Sequence, residues 1–273
     1  MKAREVFAGV FSRHAAAYRD RLERPMATGE SRGRLLALEL LAVKPGERVL
    51  DLACGPGTLT YPLADATGLD GLVVGTDLAE GMLRLALQDA PANVVVARMD
   101  SERLALLDGA FDAVACGHGL QFCPDLATAL AGILRILRSP GRFSASFPAS
   151  TANRQARTVV DEVFAELPPV PEVPERAATL EVLSDPERVR QALLRAGFKA
   201  PEVIRVEETV TYANTEELVS RTFGWWECAW RLESVAATER AQIQANAGEK
   251  LKRSLGDGPI VLPGLSHVLF ARR

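Results

Sequence analysis

A turn of small residues that follows an apolar run is the part of this chain best suited to bind a nucleotide-like ligand. The run ends in Asp51, and the turn after it contains Gly55 and Gly57. Glycine has no Cβ, so the backbone of such a turn can approach a ligand closely. These residues therefore predict that an adenosine-like ligand binds where a buried strand ends.

Two more acidic residues follow apolar runs further along the chain. Asp77 ends the run 71–77, and a carboxylate there can accept hydrogen bonds from both ribose hydroxyls. Asp100 follows the run 93–98 and can accept a hydrogen bond from an exocyclic adenine amine. A dinucleotide fingerprint needs a glycine where this chain has Thr60, so a nicotinamide-dependent oxidoreductase is the weaker alternative.

Alternating strand-like and helix-like segments are expected to position these acids. Short apolar runs typical of strands buried on both faces occur at residues 48–53, 71–77, 93–98, 111–117 and 142–148. Helical patterns lie between most of them, as in residues 125–138. This alternation predicts an α/β fold with a parallel, doubly wound sheet.

The second half of the chain has a different pattern, which divides the sequence into four parts. An irregular, proline-rich insertion precedes a helix that opens at Asp185 and stops at Gly197. The expected parts are cap helices and a core at 1–148, an insertion followed by a core helix and strand at 149–212, a helical substrate lid at 213–262, and a closing core strand at 263–273.

Three of these segments resemble motifs of the class I S-adenosylmethionine-dependent methyltransferases. VLDLACGPG at 49–57 is similar to the first motif, GTDLAEGML at 75–83 to the second, and MDSERLALLDGAFDAVAC at 99–116 to the third motif and the strand after it. The closest resemblance is to the small-molecule branch that includes the ubiquinone/menaquinone-biosynthesis C-methyltransferases. Ala53 departs from the family pattern, because the first glycine of the turn usually stands there.

The resemblance implies a Rossmann-like, seven-stranded, mostly parallel sheet with helices on both faces, an antiparallel last strand and a helical lid. It also implies S-adenosyl-L-methionine as the cofactor, with Asp51 near its methionyl end, Asp77 at the ribose and Asp100 at the adenine edge. The residues expected to contact the cofactor are Tyr18, Asp51, Ala53, Cys54, Gly55, Gly57, Asp77, Leu78, Met82, Asp100, Ser101 and Gly117.

Methyl transfer from a sulfonium requires a nucleophile held in line, and a general base only where the acceptor keeps its proton at neutral pH. His118 follows the fourth predicted strand, and His14 lies in the N-terminal helical segment. Both are candidate bases, and for each the alternative is a structural hydrogen-bond partner. His267, in the last predicted strand, is expected to be structural.

The predicted lid contains all three tryptophans of the chain. Trp226 and Trp230 are four residues apart and share a helical face, which Phe223 is expected to join. This aromatic stripe either lines the acceptor site or packs in the core. With Phe147, it is the candidate acceptor-binding set. Together with the family resemblance, which implies methyl transfer to O, N or C, this set predicts an apolar small-molecule acceptor that is aromatic or prenylated. A related non-methylating reaction stays open.

Composition limits the remaining classes of partner. The formal net charge is −3 and charged residues make up 25% of the chain, so no basic surface for nucleic acid is expected. No apolar run reaches about 18 residues, so no integral membrane segment is expected. The four cysteines match no zinc spacing, which predicts no bound metal and a reducing, cytoplasmic location. The sequence leaves a monomer and a homodimer open.

Overall fold

A seven-stranded sheet forms the centre of the computed structural model, which describes residues 3–149, 154–169 and 176–273. The strand order is β3-β2-β1-β4-β5-β7-β6. Neighbouring strands among β1 to β5 pair in parallel, and β7 runs antiparallel to both β5 and β6. The strands are β1 (Arg48–Leu52), β2 (Leu72–Asp77), β3 (Val94–Arg98), β4 (Phe111–Gly117), β5 (Leu137–Pro148), β6 (Lys199–Tyr212) and β7 (Ile260–Arg272).

Helices cover both faces of this sheet, as the sequence predicted. The first six are α1 (Ala3–Arg13), α2 (Ala15–Ala27), α3 (Arg32–Leu41), α4 (Thr60–Thr67), α5 (Glu80–Gln88) and α6 (Leu126–Ile136). The others are α7 (Arg154–Ala165), α8 (Ala177–Leu183), α9 (Pro186–Ala196), α10 (Thr215–Phe223), α11 (Trp226–Arg231) and α12 (Ala237–Leu255). A short 3₁₀ helix spans Leu120–Phe122.

The core lies on the two faces of the central strands. On one face, α6 and α9 pack Ile133 and Leu193 against Leu50 and Val114 of the sheet. On the other face, α3 and α4 contribute Leu41 and Leu63 to a second cluster with Val49 and Ala113. Because both faces of β1 and β4 are covered, these strands are apolar apart from Arg48, which is exposed at the start of β1, and the buried Asp51 and Asp112.

The second half confirms some boundaries and corrects others. The side chain of Asp185 caps α9, and Gly197 ends it at a φ of +100°. The insertion expected at the start of the part 149–212 is not irregular throughout, because α7 and α8 are regular helices. Residues 150–153 and 170–175 of this part lie outside the described residues. The closing strand begins at Ile260, inside the range expected for the lid.

A break divides the predicted lid helix into α10 and α11 at residues 224–225. Gly224 lies against α2, where a Cβ would stand 3.1 Å from the carbonyl oxygen of Ala17. The sequence pattern suggested that Phe223 shares a helical face with Trp226. Because the two residues belong to different helices, they do not share one. Phe223 packs in clusters with α12 and α7 instead, together with Leu218.

The N-terminal helices form a cap over the carboxyl ends of β1, β2 and β4. α1 packs on α5, where Gly81 donates its N–H to Ser12 Oγ at 3.2 Å. α2 is joined to α10 by Arg24, which donates to Glu217 at 2.6 Å. The guanidinium of Arg21 lies 5.0 Å from the ring of Trp225. The cap is thus held both to the core and to the helices of the second half.

Gly81→Ala is expected to loosen this cap. A Cβ at position 81 would lie 2.1 Å from the carbonyl oxygen of Ser12, so α1 must move away. We expect a loss of about 1–3 kcal/mol in unfolding free energy and faster hydrogen exchange in α1. Gly248→Ala in α12 is the control, since no atom lies within 4 Å of its Cβ position. Equal effects of the two substitutions would contradict the packing described.

Candidate active site

A cavity of about 910 Å³, its open mouth included, lies at the carboxyl ends of β1, β2 and β4 under the cap. All the residues predicted to contact a cofactor line it, except Gly57. Gly57 has a φ of +95° and shapes the turn behind the cavity wall. The sequence motifs therefore converge on one site, although they come from three strands.

The turn after β1 uses three left-handed backbone conformations. Gly55 and Gly57 have φ values of +56° and +95°, which glycine adopts without strain. Ala53 has a φ of +53°, which costs an alanine roughly 1–2 kcal/mol. The departure of Ala53 from the family's glycine thus falls at a position where the backbone favours glycine.

Asp77 connects the end of β2 to this turn. Its Oδ2 accepts the N–H of Gly55 at 2.9 Å, and its Oδ1 accepts the N–H of Ala79 at 2.8 Å. Each carboxylate oxygen keeps a further lone pair, and the residue lines the cavity. Burial raises the pKa of Asp77, and the backbone hydrogen bonds oppose that rise. The carboxylate is therefore held in place and can accept further hydrogen bonds from the cavity.

Asp51 lies deeper in the cavity and is only 1% exposed. Its Oδ2 accepts the hydroxyl of Thr60 at 2.6 Å, whereas its buried Oδ1 has no partner in the described residues. Burial raises the pKa of Asp51 to about 7, and the charge of Asp77 adds to the rise. Thr60 therefore holds the carboxyl group of Asp51 in place. Sequence reasoning used Thr60 only as the residue that replaces a dinucleotide-binding glycine and missed this role.

Asp100 is linked to the cap. Its Oδ2 accepts Arg4 Nη1 at 3.1 Å, and its Oδ1 accepts the N–H of Glu102 at 3.0 Å. Arg4 belongs to α1, and sequence reasoning did not identify it. The same helix adds Phe7 and Phe11 to the cavity wall. Their spacing of four residues is the one sequence signal that could have found them.

The cover of the cavity comes from α1 and α2. These helices supply Arg4, Phe7, Ala8, Phe11, Tyr18 and Leu22 to the wall. None of the residues that line the cavity comes from the predicted lid at 213–262. α10 and α11 of that segment pack against the cap helices α2 and α1, and the segment does not form the expected lid over the cavity.

Three of the four predicted acceptor residues support the structure from behind the cavity wall or within the core. Trp226 packs edge to face on Phe7 and Phe122, at ring distances of 5.0 and 6.0 Å. Trp230 contacts Trp226, with ring centroids 6.4 Å apart. Phe147 is fully buried in the core of the sheet. Neither these residues nor Phe223 lines the cavity, whose aromatic wall is formed by Phe7, Phe11, Tyr18 and Phe122.

His118 lines the cavity, but both its ring nitrogens have serine neighbours. Nδ1 lies 3.1 Å from Ser146 Oγ, and Nε2 lies 3.5 Å from Ser266 Oγ. Ser266 donates its proton to Glu208 Oε2 at 2.8 Å, so it accepts at His118 and Nε2 carries the ring proton. Burial and the charge of Arg34 lower the pKa of His118 well below its usual value. This arrangement matches a neutral hydrogen-bond partner better than a free base.

His14 lies away from the cavity, at the junction of α1 and α2. Its Nε2 is 2.9 Å from Glu233 Oε1, and Arg13 donates to both oxygens of Glu233 at 2.8 Å. This contact joins the cap to the segment after α11. His267 is buried in β7, with its ring 5.7 Å from that of Phe147. The structure therefore does not bring His14 to the site where a base would act.

The described residues offer neither a metal site nor a membrane span. Among the described residues, no group of three or more His, Cys, Asp or Glu side chains could hold a metal ion. Within the same part of the chain, no helix is both long enough and apolar enough to cross a membrane.

Comparison with known proteins identifies the family. Residues 49–141 match the family described as a methyltransferase domain. Nocamycin O-methyltransferase of Saccharothrix syringae is 30% identical over 240 residues, which cover 82% of this chain and 84% of that protein. The 2-phytyl-1,4-naphthoquinone methyltransferase of Synechococcus elongatus is 36% identical over 146 residues, covering 51% of this chain and 62% of that protein. The match to the Synechococcus protein thus spans less than two thirds of its length.

A solved structure agrees in fold. The YcgJ protein of Bacillus subtilis superposes with a TM-score of 0.58 at 16% identity, over 89% of this chain and 98% of that one. That likeness shows the fold. The extended match to the Saccharothrix protein, together with the family match at residues 49–141, shows that the chain belongs to the class I S-adenosylmethionine-dependent methyltransferases of the small-molecule type. The nicotinamide-dependent alternative is not favoured.

The raised pKa of Asp51 predicts how stability depends on pH. The pKa rises from 3.8 to about 7 on folding, so between these values the folded state holds a proton that the unfolded chain has lost. Stability must therefore fall as pH rises through this window. We expect wild type to lose about 1–4 kcal/mol relative to Asp51→Asn between pH 4.5 and 8, measured by urea unfolding.

Asp65→Asn, an exposed carboxyl on α4, is the matched control and should follow the wild-type profile. Parallel pH profiles of wild type and Asp51→Asn would show that Asp51 does not titrate as described.

Proposed function

We propose that this protein is an S-adenosyl-L-methionine-dependent methyltransferase that acts in the cytoplasm on an apolar small molecule. The observation that carries the proposal is the buried, unpartnered Oδ1 of Asp51, in the same cavity as Asp77 and the turn at Gly55. A buried carboxyl oxygen without a partner is costly, and a cationic amine in the cavity would satisfy it. The four buried free cysteines support the cytoplasmic location.

The residues of the cavity fit the parts of this cofactor. Asp51 would hold its methionyl ammonium, and Asp77 would accept its ribose hydroxyls. Asp100 faces the same cavity and would accept a hydrogen bond from the adenine amine. Leu78 and Met82 also line the cavity and would give the adenine apolar contact. When bound, S-adenosylmethionine supplies an electrophilic methyl group on a sulfonium.

The acceptor side of the cavity is apolar and aromatic. Phe7, Phe11 and Phe122 form a cluster with edge-to-face contacts at 5.0 and 5.1 Å. Leu22 extends this wall. Such a surface favours a planar apolar acceptor, held by burial rather than by hydrogen bonds. The names of the relatives, a naphthoquinone methyltransferase and an O-methyltransferase for nocamycin, agree with this class.

The proposed transfer depends on positioning. Both nitrogens of His118 face serine hydroxyls, and His14 lies outside the cavity. The chain therefore contributes exclusion of water and alignment of the acceptor atom with the methyl group. Acceptors that ionise readily, such as acidic phenols and enols, need no further base.

Asp77→Ala should reduce the affinity for S-adenosylhomocysteine more than tenfold. The substitution removes the acceptor for the ribose and leaves the N–H groups of Gly55 and Ala79 without a partner. Calorimetric titration of both proteins measures the change, and Asp65→Ala on the exposed face of α4 is the control. Failure of the wild type to bind S-adenosylhomocysteine would overturn the proposal.

Incubation with radiolabelled S-adenosylmethionine and a set of naphthols and quinols separates methyl transfer from a non-methylating reaction. Label in the organic product supports transfer. Tight cofactor binding with a rearranged, unlabelled product would favour the methyltransferase-like alternative.

A further inference from the structure

Arg34 on α3 places a buried guanidinium at the cavity. Its side chain lines the cavity, and the residue is 8% exposed. Its hydrogen bond in the structure is to a neutral group, with Nη1 donating to Ser31 Oγ at 3.2 Å. Among the described residues, Arg34 forms no ion pair with a carboxylate. By contrast Arg4, the other arginine of the cavity, is paired with Asp100.

The acidic residue adjacent to this helix is already engaged. Glu208 accepts the N–H of Gly33 at 2.6 Å through Oε1, and the hydroxyl of Ser266 at 2.8 Å through Oε2. A guanidinium cannot shed its charge in a protein, and a buried charge without a partner is strongly unfavourable. The chain therefore keeps a buried cation without an ion-pair partner on the wall of the cavity that also contains Asp51 and Asp77.

We propose that Arg34 binds an anionic oxygen group of a ligand in this cavity, a carboxylate or an ionised acidic oxygen. This inference rests on the proposed function and adds a recognition group to the same site. The planar guanidinium offers a fork of donors that matches two oxygens of a carboxylate. The ligand anion would complete an ion pair that the described residues leave without its negative partner.

Two sources of this anion are compatible with the position of Arg34. Its Nε lies 3.7 Å from where a Cβ on Gly117 would stand, at the end of β4. This is close to the proposed methionyl end of the cofactor, whose α-carboxylate is one source. Arg34 also shares the wall of this cavity with His118 and Leu22, and an acidic oxygen of an acceptor bound there is the other source.

The first arm of the experiment compares two adenosine ligands by calorimetry. S-adenosylhomocysteine carries an α-carboxylate, and 5′-methylthioadenosine lacks it. We expect Arg34→Gln to weaken S-adenosylhomocysteine at least tenfold and to leave 5′-methylthioadenosine unchanged, with partial recovery in Arg34→Lys. Arg32→Gln changes an exposed arginine on the same helix and should have no effect. This result assigns the anion to the cofactor.

The second arm applies where Arg34→Gln binds S-adenosylhomocysteine like wild type. 2-Naphthoate is then titrated into the complex with S-adenosylhomocysteine, with naphthalene-2-methanol as the uncharged control. Selective loss of naphthoate binding in Arg34→Gln assigns the anion to the acceptor. Unchanged binding in both arms overturns the inference.

Two controls distinguish a wrong inference about Arg34 from a wrong proposed function and from an unstable variant. A wild-type protein that binds no S-adenosylhomocysteine refutes the proposed function, and the naphthoate arm on the free protein then tests Arg34 alone. Removal of a buried unpaired charge should not destabilise the fold. Ligand-free Arg34→Gln is therefore expected to melt within about 5 °C of wild type or above it. A larger fall would assign Arg34 a structural role and overturn the inference.

Discussion

The hydrogen bond from the Gly55 N–H to Asp77 Oδ2, 2.9 Å long, is the contact on which the site depends. It joins the turn after β1 to the end of β2, so one carboxylate fixes the turn and faces the cavity. Asp51, on β1, likewise has one oxygen held by the protein and one left for a ligand. Its Oδ2 accepts the hydroxyl of Thr60, and its Oδ1 has no partner in the described residues. Parallel strands bring these acids to the same edge of the sheet, and burial makes each carboxylate sensitive to a cation or a proton.

The cap covers the site and is joined to the sheet edge beneath it. α1 and α2 cover the cavity with aromatic side chains, and Arg4 connects α1 to Asp100 beyond the end of β3. Trp226 supports this wall from outside, through its edge-to-face contact with Phe7. The second half of the chain therefore acts on the site through the cap rather than by covering it, and its aromatic residues stabilise the surface that would contact the acceptor.

Local patterns predicted the parallel strands and the three acids that follow them, Asp51, Asp77 and Asp100, because a parallel sheet places successive strand ends together whatever surrounds them. Contacts between distant segments were not predictable. The pairing of His118 with Ser266 joins residues 148 positions apart, and no local pattern indicates it. The break at Gly224 lies where the chain packs closely on Ala17 of α2. The spacing of the aromatic residues predicts one continuous helix and gives no sign of this break. The covering role of Phe7 required the docking of α1, which depends on the whole fold.

A crystal structure with S-adenosylhomocysteine tests the central claim most directly. The account predicts the ribose hydroxyls within hydrogen-bond distance of Asp77, the methionyl amine at Asp51 Oδ1, and the adenine close to Asp100 under α1. Ligand bound outside this cavity, or bound in it with the ribose away from Asp77, would contradict the account.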